Sequence, residues 1–571
     1  MTTNESIEKF QLPIYYLKNK MKIEDNTVDD LELIETKATK SLYSHAFNPK
    51  TEFSRSVLPL WAEYYTSDTV FLKESQKFVK KFKNTISFES DAQKALTFWK
   101  SIKSETNFKG KYQYLDWKLI EKLNENRYFL EIFSLYNLSS PLFSLILPII
   151  FLIIPFFILK IQGVQITISA YYSLLGILFK KHTLGQIFSG NFSKGELDKK
   201  IYIVISFFLY IFQIYQNTTS CIRFYRNMTF IHDSIFSLRN YYDVSIRSMN
   251  NVLNYTNKLT TYKGFNKNMI HHMTVIKKLN KELHQITPCR LTLKKALQIG
   301  HVMEIFYGLY YNPQYHNTTE YLFKFTGWVE NIEGLKQSIK SKKINYCKFT
   351  QKSQKFIDAY FPATLETKPV TNTYNINSNM LITGPNAAGK TTLLKTTLFN
   401  IIISQQLGIG FYKKANIIPF DAIHCYINIP DTSNRDSLFQ AEARRCKDIL
   451  NKIESSPGKR HFCIFDELYS GTNPYEAISS AVAFLNYLNK HNNINFMLTT
   501  HFIDLCKRLE EEEDIINYNM KIETIDDKFK YTYKLTQGIS YIKGGVKVLK
   551  QLKYPTEIIK NTEKIIETVH L

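Results

Sequence analysis

At 571 residues the chain has room for about two to four domains and a large buried core. Lys and Arg number 73 against 51 Asp and Glu, a formal charge of +22 that suits nucleic acid or an anionic membrane surface. The seven cysteines (Cys221, Cys289, Cys347, Cys425, Cys446, Cys463 and Cys506) form no C-x-x-C pair, and His271 and His272 have no ligand-spaced partners. That pattern argues against a disulfide framework and a structural metal site, and for a reducing, cytosol-like compartment.

The first stretch, MTTNESIEKFQLPIYYLKNK, lacks the apolar run of a signal peptide. Residues 1–131 read as soluble and mainly helical. Val28–Phe47 carries apolar residues at helical spacing, and Ser67–Phe82 predicts a second helix. The composition then changes abruptly. Ile132–Leu159 is a run of 28 residues without a charge, longer than the ~20 needed to cross a bilayer. Pro141, Pro148 and Pro155 recur every seven residues within it, near one helix face. Prolines are tolerated in membrane helices where neighbours satisfy the freed carbonyls.

Ile161–Phe179 is also uncharged, but Gln162, Gln165, Thr167, Ser169 and Ser173 dilute it; Ile201–Ile222 is a third apolar stretch. A buried hairpin of core helices is the alternative, and the length of the uncharged run favours the membrane. We read residues 132–222 as a multi-pass membrane region with two spans, about 138–159 and 200–217. Residues 161–181 would lie at the interface or re-enter. Lys160, Lys180, Lys181, Lys194, Lys199 and Lys200 crowd the loop between the spans, while Lys118, Lys122, Arg127, Arg223 and Arg226 flank the other side. Charge therefore leaves the orientation open.

Residues 223–362 return to long helical patterns, such as Phe230–Tyr255 and Leu291–Tyr311, with no motif tied to catalysis. Most basic runs here and elsewhere are scattered on helices and read as solvated faces. From 363 the pattern becomes α/β. An apolar strand over Met380–Ile382 runs into Gly384, Pro385, Asn386, Ala387, Ala388, Gly389, Lys390 and Thr391, and a helix follows through Thr392. This is the spacing G-x-x-x-x-G-K-[ST] of a phosphate-binding loop. The two glycines let backbone N–H groups point at phosphate oxygens, and the helix N-terminus adds its dipole. Lys390 would reach the β- and γ-phosphates of ATP, and Thr391 would offer its hydroxyl to Mg²⁺.

About 75 residues on, the apolar strand His461–Phe465 ends in Asp466 and Glu467. Asp466 would organise Mg²⁺ and Glu467 would polarise the attacking water. A further strand, Asn495–Thr500, ends at His501, a position suited to sensing the γ-phosphate.

The segments TGPNAAGKTT, Asp436–Ala443 (DSLFQAEA), Asp466–Ala477 (DELYSGTNPYEA) and Thr499–Phe502 (TTHF) resemble the MutS mismatch-repair ATPases in order and spacing. The resemblance is specific over about 363–571 and weaker over Val28–Phe47 and 285–350, which look like that family's core and lever helices. It implies a MutS/ABC-like P-loop NTPase domain over 363–535, with a helical dimerisation element over 536–571 similar to the family's C-terminal one. By the same resemblance Lys390 and Thr391 hold phosphates and Mg²⁺, Asp466 and Glu467 are the hydrolytic carboxylates, and His501 is the switch histidine. Ser437 matches the serine that members present to the partner subunit's nucleotide, so a homodimer with composite ATP sites is implied. Asn372 matches the family's short motif ahead of the loop, and Tyr533 falls where an aromatic ring stacks on adenine.

The departures are specific. Residues 1–131 show no mismatch-reading domain with its Phe-x-Glu wedge; Phe129-Leu130-Glu131 abuts the membrane run and reads as chance. The Arg common after the hydrolytic carboxylates is Ser470, and the segment after Gln-x-Gly reads GIGFYKK. An ABC transporter ATPase fits less well, because the serine-glycine-glycine signature is missing. The expectation is a multidomain chain: helical core and lever interrupted by membrane helices, then the ATPase domain facing a reducing compartment. Its candidate partners are a second copy, membrane lipid, and mismatched or branched DNA. The alternative is a membrane-bound dimeric ATPase that acts on a protein or lipid without DNA.

Overall fold

The computed structural model describes the chain except residues 1–8, 37–38, 164–166, 182–196, 289–296, 428–436, 526–527, 543–545, 547–548, 551 and 569–571. Cys289, Asp436 and parts of Leu291–Tyr311 and Gly538–Ile565 thus lie outside the described residues. The chain divides into two compact units. One comprises Ser87–Arg247 and His272–Thr319; the other comprises Met1–Ile86, Ser248–His271 and Glu320–Leu571.

Long helices dominate the first unit. The helix α1 (Arg127–Ile161, 35 residues) starts where the Asn126 side chain accepts from the Phe129 N–H at 3.0 Å. After it come α2 (Ile168–Lys181) and α3 (Leu197–Thr256), the last of 60 residues, of which those up to Arg247 belong to this unit. Two of the prolines of α1, Pro141 and Pro148, free carbonyls that find other donors. Pro141 leaves the Asn137 carbonyl without its usual partner, and the Ser140 hydroxyl donates to it at 3.0 Å. Pro148 does the same to the Ser144 carbonyl, which accepts from the Tyr210 hydroxyl of α3 at 3.1 Å.

Two more polar contacts join α1 and α3. Asn217 Nδ2 donates to Ser144 Oγ at 2.6 Å, and Cys221 Sγ lies 3.5 Å from the Leu138 carbonyl. These pairs run α1 and α3 antiparallel, with residue 138 level with 221. Their other sides are apolar and outward. Leu142, Phe143, Leu145 and Phe157 of α1, and Ile205, Phe208, Leu209 and Phe212 of α3, are all at least 49% exposed. A buried core hairpin is not what this stretch forms. By length and composition, the helical segments Arg127–Leu147 and Lys200–Thr256 each contain a stretch long and apolar enough to cross a membrane.

The rest of this unit closes over an aromatic core. Phe108 stacks on Tyr310 at 3.9 Å, Tyr112 meets Phe306 edge-on at 4.8 Å, and the Tyr114 hydroxyl donates to the Met303 carbonyl at 2.8 Å.

In the second unit the main sheet has six strands: β1 (Asn379–Thr383), β2 (Ala422–Tyr426), β3 (His461–Asp466), β4 (Ile494–Thr500), β5 (Ile515–Ile525) and β6 (Lys528–Gln537). Their order is β2-β3-β4-β1-β5-β6, and every pair is parallel except β5–β6. Continuous apolar runs such as Phe462–Phe465 suit strands covered on both faces. Helices α4 (Lys390–Leu407), α5 (Leu438–Glu454) and α6 (Pro474–Asn489) follow β1, β2 and β3.

The N-terminal residues of this unit depart from the sequence expectation. Val28–Phe47 is not one helix: Asp25–Asp30 and Leu42–Phe47 are separate. Glu32 takes the left-handed conformation (φ 53°), and Ser41 caps the second helix while its hydroxyl also donates to the Leu33 carbonyl. Leu31 and Leu33 are buried in the break. The apolar spacing was real, but tertiary burial used it for a turn. Thr69–Lys81, by contrast, is helical as Ser67–Phe82 predicted, with Asp68 as its N-cap.

This segment grips the buried end of α4. Gln405 donates to the Thr66 carbonyl at 3.1 Å and the Phe420 carbonyl at 2.7 Å. Gln406 donates to the carbonyls of Trp61 (2.5 Å) and Tyr64 (2.8 Å) and accepts from the Tyr43 hydroxyl at 2.9 Å. Gln406→Leu strands those groups in an apolar interior. The expected loss is about 1–3 kcal/mol in denaturant unfolding followed by fluorescence; an unchanged midpoint would contradict this account of the clamp.

Candidate functional site

The site forms at the carboxyl ends of β1, β4 and β3, where open parallel sheets place their ligands. Register does the positioning. Thr383 of β1 is level with Thr500 of β4, and Thr499 is level with Asp466 of β3. Residues that follow these strands therefore emerge in one row: Gly384, His501 and Glu467.

The loop after β1 has the backbone its sequence implies. Gly384 (φ 149°), Ala387 (φ 63°) and Gly389 (φ 95°) take positive φ, and α4 begins at once with Lys390. The Lys390 side chain is 5% exposed. Its ammonium donates to the Gly384 carbonyl at 2.9 Å and lies 3.4 Å from that of Pro385. Burial lowers its pKa, and the charges of Glu467 and Asp466 oppose that shift.

Next to it, Thr391 Oγ1 donates to Asp466 Oδ2 at 2.7 Å, and the Thr499 hydroxyl donates to Asp466 Oδ1. Asp466 is thus fixed from both sides. Thr499 was legible only as part of the TTHF segment; its bond depends on the β3–β4 register. Among the described residues no group of three or more His, Cys, Asp or Glu could hold a metal. The donor set on offer is one hydroxyl and one carboxylate. That suits a hard cation which keeps waters and phosphate oxygens as its other ligands.

Glu467 turns out of β3 at φ 57° and meets His501 Nε2 at 2.7 Å, with Lys390 Nζ at 3.8 Å. The hydrogen bond from His501, then the charges of His501 and Lys390, hold the Glu467 carboxyl below its ordinary range. His501 Nε2 also lies 3.0 Å from Lys390 Nζ. One ring nitrogen cannot serve both. Protonated, it donates to Glu467; bare, it accepts from Lys390.

Beside Gly389 lies a pocket of about 310 Å³, lined among others by Phe361, Pro369, Asn372, Thr392, Met520 and Tyr533. Asn372 holds one wall in place. It donates to the Tyr533 carbonyl at 3.0 Å and accepts from the Leu535 N–H at 2.8 Å. Tyr533 itself takes φ 56° and is 45% exposed. Phe361 and Pro369 were missed in the sequence, since nothing in an irregular segment before a strand marks pocket lining.

Ser437 is not brought into this cluster. Its hydroxyl accepts from the Gln440 N–H at 3.3 Å and Gln440 Oε1 accepts from the Ser437 N–H at 3.0 Å, a capping box at the start of α5. The helix is nonetheless tied to the carboxylate strand. Buried Glu442 of α5 accepts from Ser470 Oγ at 2.9 Å and from the Gly471 N–H at 3.2 Å. Ser470, which stands where the resemblance expects Arg, thus locks the turn after Glu467 onto the helix that carries Ser437.

The geometry defines an α/β domain with a glycine-rich loop, two carboxylates and a histidine at the carboxyl ends of its central strands. Residues 380–570 match the family model for MutS domain V. The DNA mismatch repair protein MutS of Bacteroides fragilis (strain YCH46) is 32% identical over 191 residues, 33% of this chain and 22% of that protein. Those of Persephonella marina and Clostridium perfringens are each 29% identical, over 215 and 202 residues, 37% and 34% of this chain. The matched part spans 24% and 21% of their lengths. Over that third of the chain, the comparisons support the MutS family.

Because Glu467 is held below the ordinary carboxylate range, it contributes stability that is present above that range and fades as pH falls through the depressed value. The difference in melting temperature between the native chain and Glu467→Gln should therefore shrink on acidification. Scanning fluorimetry across an acid series reads this directly, and a gap independent of pH would refute the pairing with His501.

Proposed function

We propose that the chain binds and hydrolyses ATP as a membrane-anchored, dimeric MutS-like protein that handles mismatched or branched DNA. The observation that carries this reading is the convergence of Lys390, Asp466, Glu467 and His501 on the loop Gly384–Gly389. Backbone N–H groups of Asn386, Ala387, Ala388 and Gly389 cradle phosphates, and phosphate oxygens compete with the Gly384 and Pro385 carbonyls for the Lys390 ammonium. Thr391 and Asp466 would hold Mg²⁺, which would supply charge neutralisation on the transferred phosphoryl group. Glu467, kept ionised, orients the attacking water, and His501 exchanges its bond between Glu467 and Lys390 as its proton moves. Tyr533, Asn372 and Thr392 border the 310 Å³ pocket, which would take the base. Ser437 serves the partner subunit's site across the dimer, with the C-terminal helix Thr556–Thr568 supporting the pairing.

A second reading, a membrane-bound ATPase working on a protein or lipid, is favoured by the outward apolar faces of α1 and α3. Binding of the detergent-purified chain to homoduplex, mismatched and four-way-junction DNA, with and without ATP across a salt series, separates the two. Structure-selective binding tuned by ATP supports DNA handling. Weak, unselective binding that salt abolishes supports the second reading.

Lys390→Ala should weaken nucleotide binding by about 10–100-fold or more. Glu467→Ala should bind nucleotide yet slow hydrolysis by at least about 100-fold; equal turnover would overturn these roles. Mixed dimers of Ser437→Ala and Lys390→Ala subunits read whether Ser437 acts across the interface. If each site is self-contained, a dimer of one native and one Ser437→Ala subunit keeps its losses within the altered subunit.

A further inference from the structure

Trp117 and Leu119 stand out among the exposed apolar side chains of the first unit. Trp117 is 75% exposed and Leu119 is 99% exposed, in the turn that leads to α1. The other three tryptophans, Trp61, Trp99 and Trp328, are buried. Lys118 sits between the exposed pair, and Lys122 follows shortly after; both are also exposed.

The position of this turn along the helix pair is fixed by hydrogen bonds. Gln113 Nε2 donates to Ser220 Oγ at 3.0 Å, and the neighbouring Cys221 reaches the Leu138 carbonyl. Asn227 Nδ2 donates to the Lys111 carbonyl at 2.7 Å. Residues 111–113 are therefore docked on α3 near the neighbouring ends of the two expected spans, about 138 on α1 and about 217 on α3. Four residues on from Gln113, Trp117 lies within about 14 Å of it even for a fully extended chain. The docking is firm: Asn124 donates to the Leu115 carbonyl at 2.8 Å and accepts from the Leu115 N–H at 2.9 Å, and Lys109 pairs with both Asp116 and Glu121. The fold holds the turn rigidly with its apolar residues facing out.

We infer that the Trp117–Leu119 turn is an interfacial anchor that enters the headgroup layer of an anionic bilayer at the end where α1 enters and α3 leaves. The inference rests on the membrane reading above and adds a specific contact to it. Tryptophan is favoured at that depth because its ring is apolar and its N–H still finds a partner. Leu119 gains from burial in the same layer, while Lys118 and Lys122 meet anionic headgroups. The turn would thus fix how deeply the helix pair sits, which the length of an apolar run alone does not do.

The full chain in nanodiscs of phosphatidylcholine and phosphatidylglycerol provides the test, with Trp117→Phe as the subtraction. The difference spectrum isolates the single exposed tryptophan. It should be blue-shifted relative to the detergent-free, urea-unfolded chain, quenched by lipids brominated near the headgroup, and protected from aqueous acrylamide. If the chain withstands alkaline carbonate extraction but Trp117 is quenched by acrylamide and not by brominated lipid, the anchor is overturned and the membrane reading stands. If alkaline carbonate releases the chain from lipid, both fall.

Discussion

Parallel pairing of β3, β4 and β1 is the constraint on which the candidate site depends. The site is assembled from three segments distant in sequence: Thr391 and Asp466 are 75 residues apart and Lys390 and His501 are 111 apart. Register aligns their strand ends, and one hydroxyl on each side then fixes Asp466. A slip of one residue on β4 would turn Thr499 to the other face of the sheet and remove its bond to Asp466. The same slip would displace His501, which follows β4, from its place between Glu467 and Lys390.

The loop helix links this site to the beginning of the chain. Helix α4 starts at the glycine-rich loop and ends at Gln405 and Gln406, whose amides are saturated by the segment around Trp61–Thr66 and by Phe420. A second connection runs through Glu24, which pairs with Arg445 of α5 at 3.3 Å. Both helices that leave the site are therefore held by the first 86 residues. A shift of the loop or of the Ser437 helix must either carry that segment with it or break buried bonds.

The helix pair α1–α3 poses a different physical problem and solves it with polar residues spaced to match prolines. Ser140 and Tyr210 take up carbonyls freed by Pro141 and Pro148, and Asn217 and Ser144 tie the pair together. With those two carbonyls satisfied from within, the outward side chains of the pair can be apolar. That combination suits a solvent without hydrogen-bonding partners.

The local chemistry of the loop was readable from its own residues. Gly384 and Gly389 read as positive-φ positions and Lys390-Thr391 as the start of a helix, because glycine freedom and helix starts are decided within a few residues. The sequence also marked the apolar run at Ile132, since hydropathy is a property of composition. It misjudged Val28–Phe47, where apolar spacing that fits a helix is used by a buried turn at Leu31–Leu33. Strand register and packing, by contrast, settled that Thr499 grips Asp466 and that His501 stands between Glu467 and Lys390. Packing also decided that Trp117 faces outward beside the end of the helix pair. Those facts depend on strand register and on packing between segments 33 to 111 residues apart, and neither leaves a periodic trace in the chain.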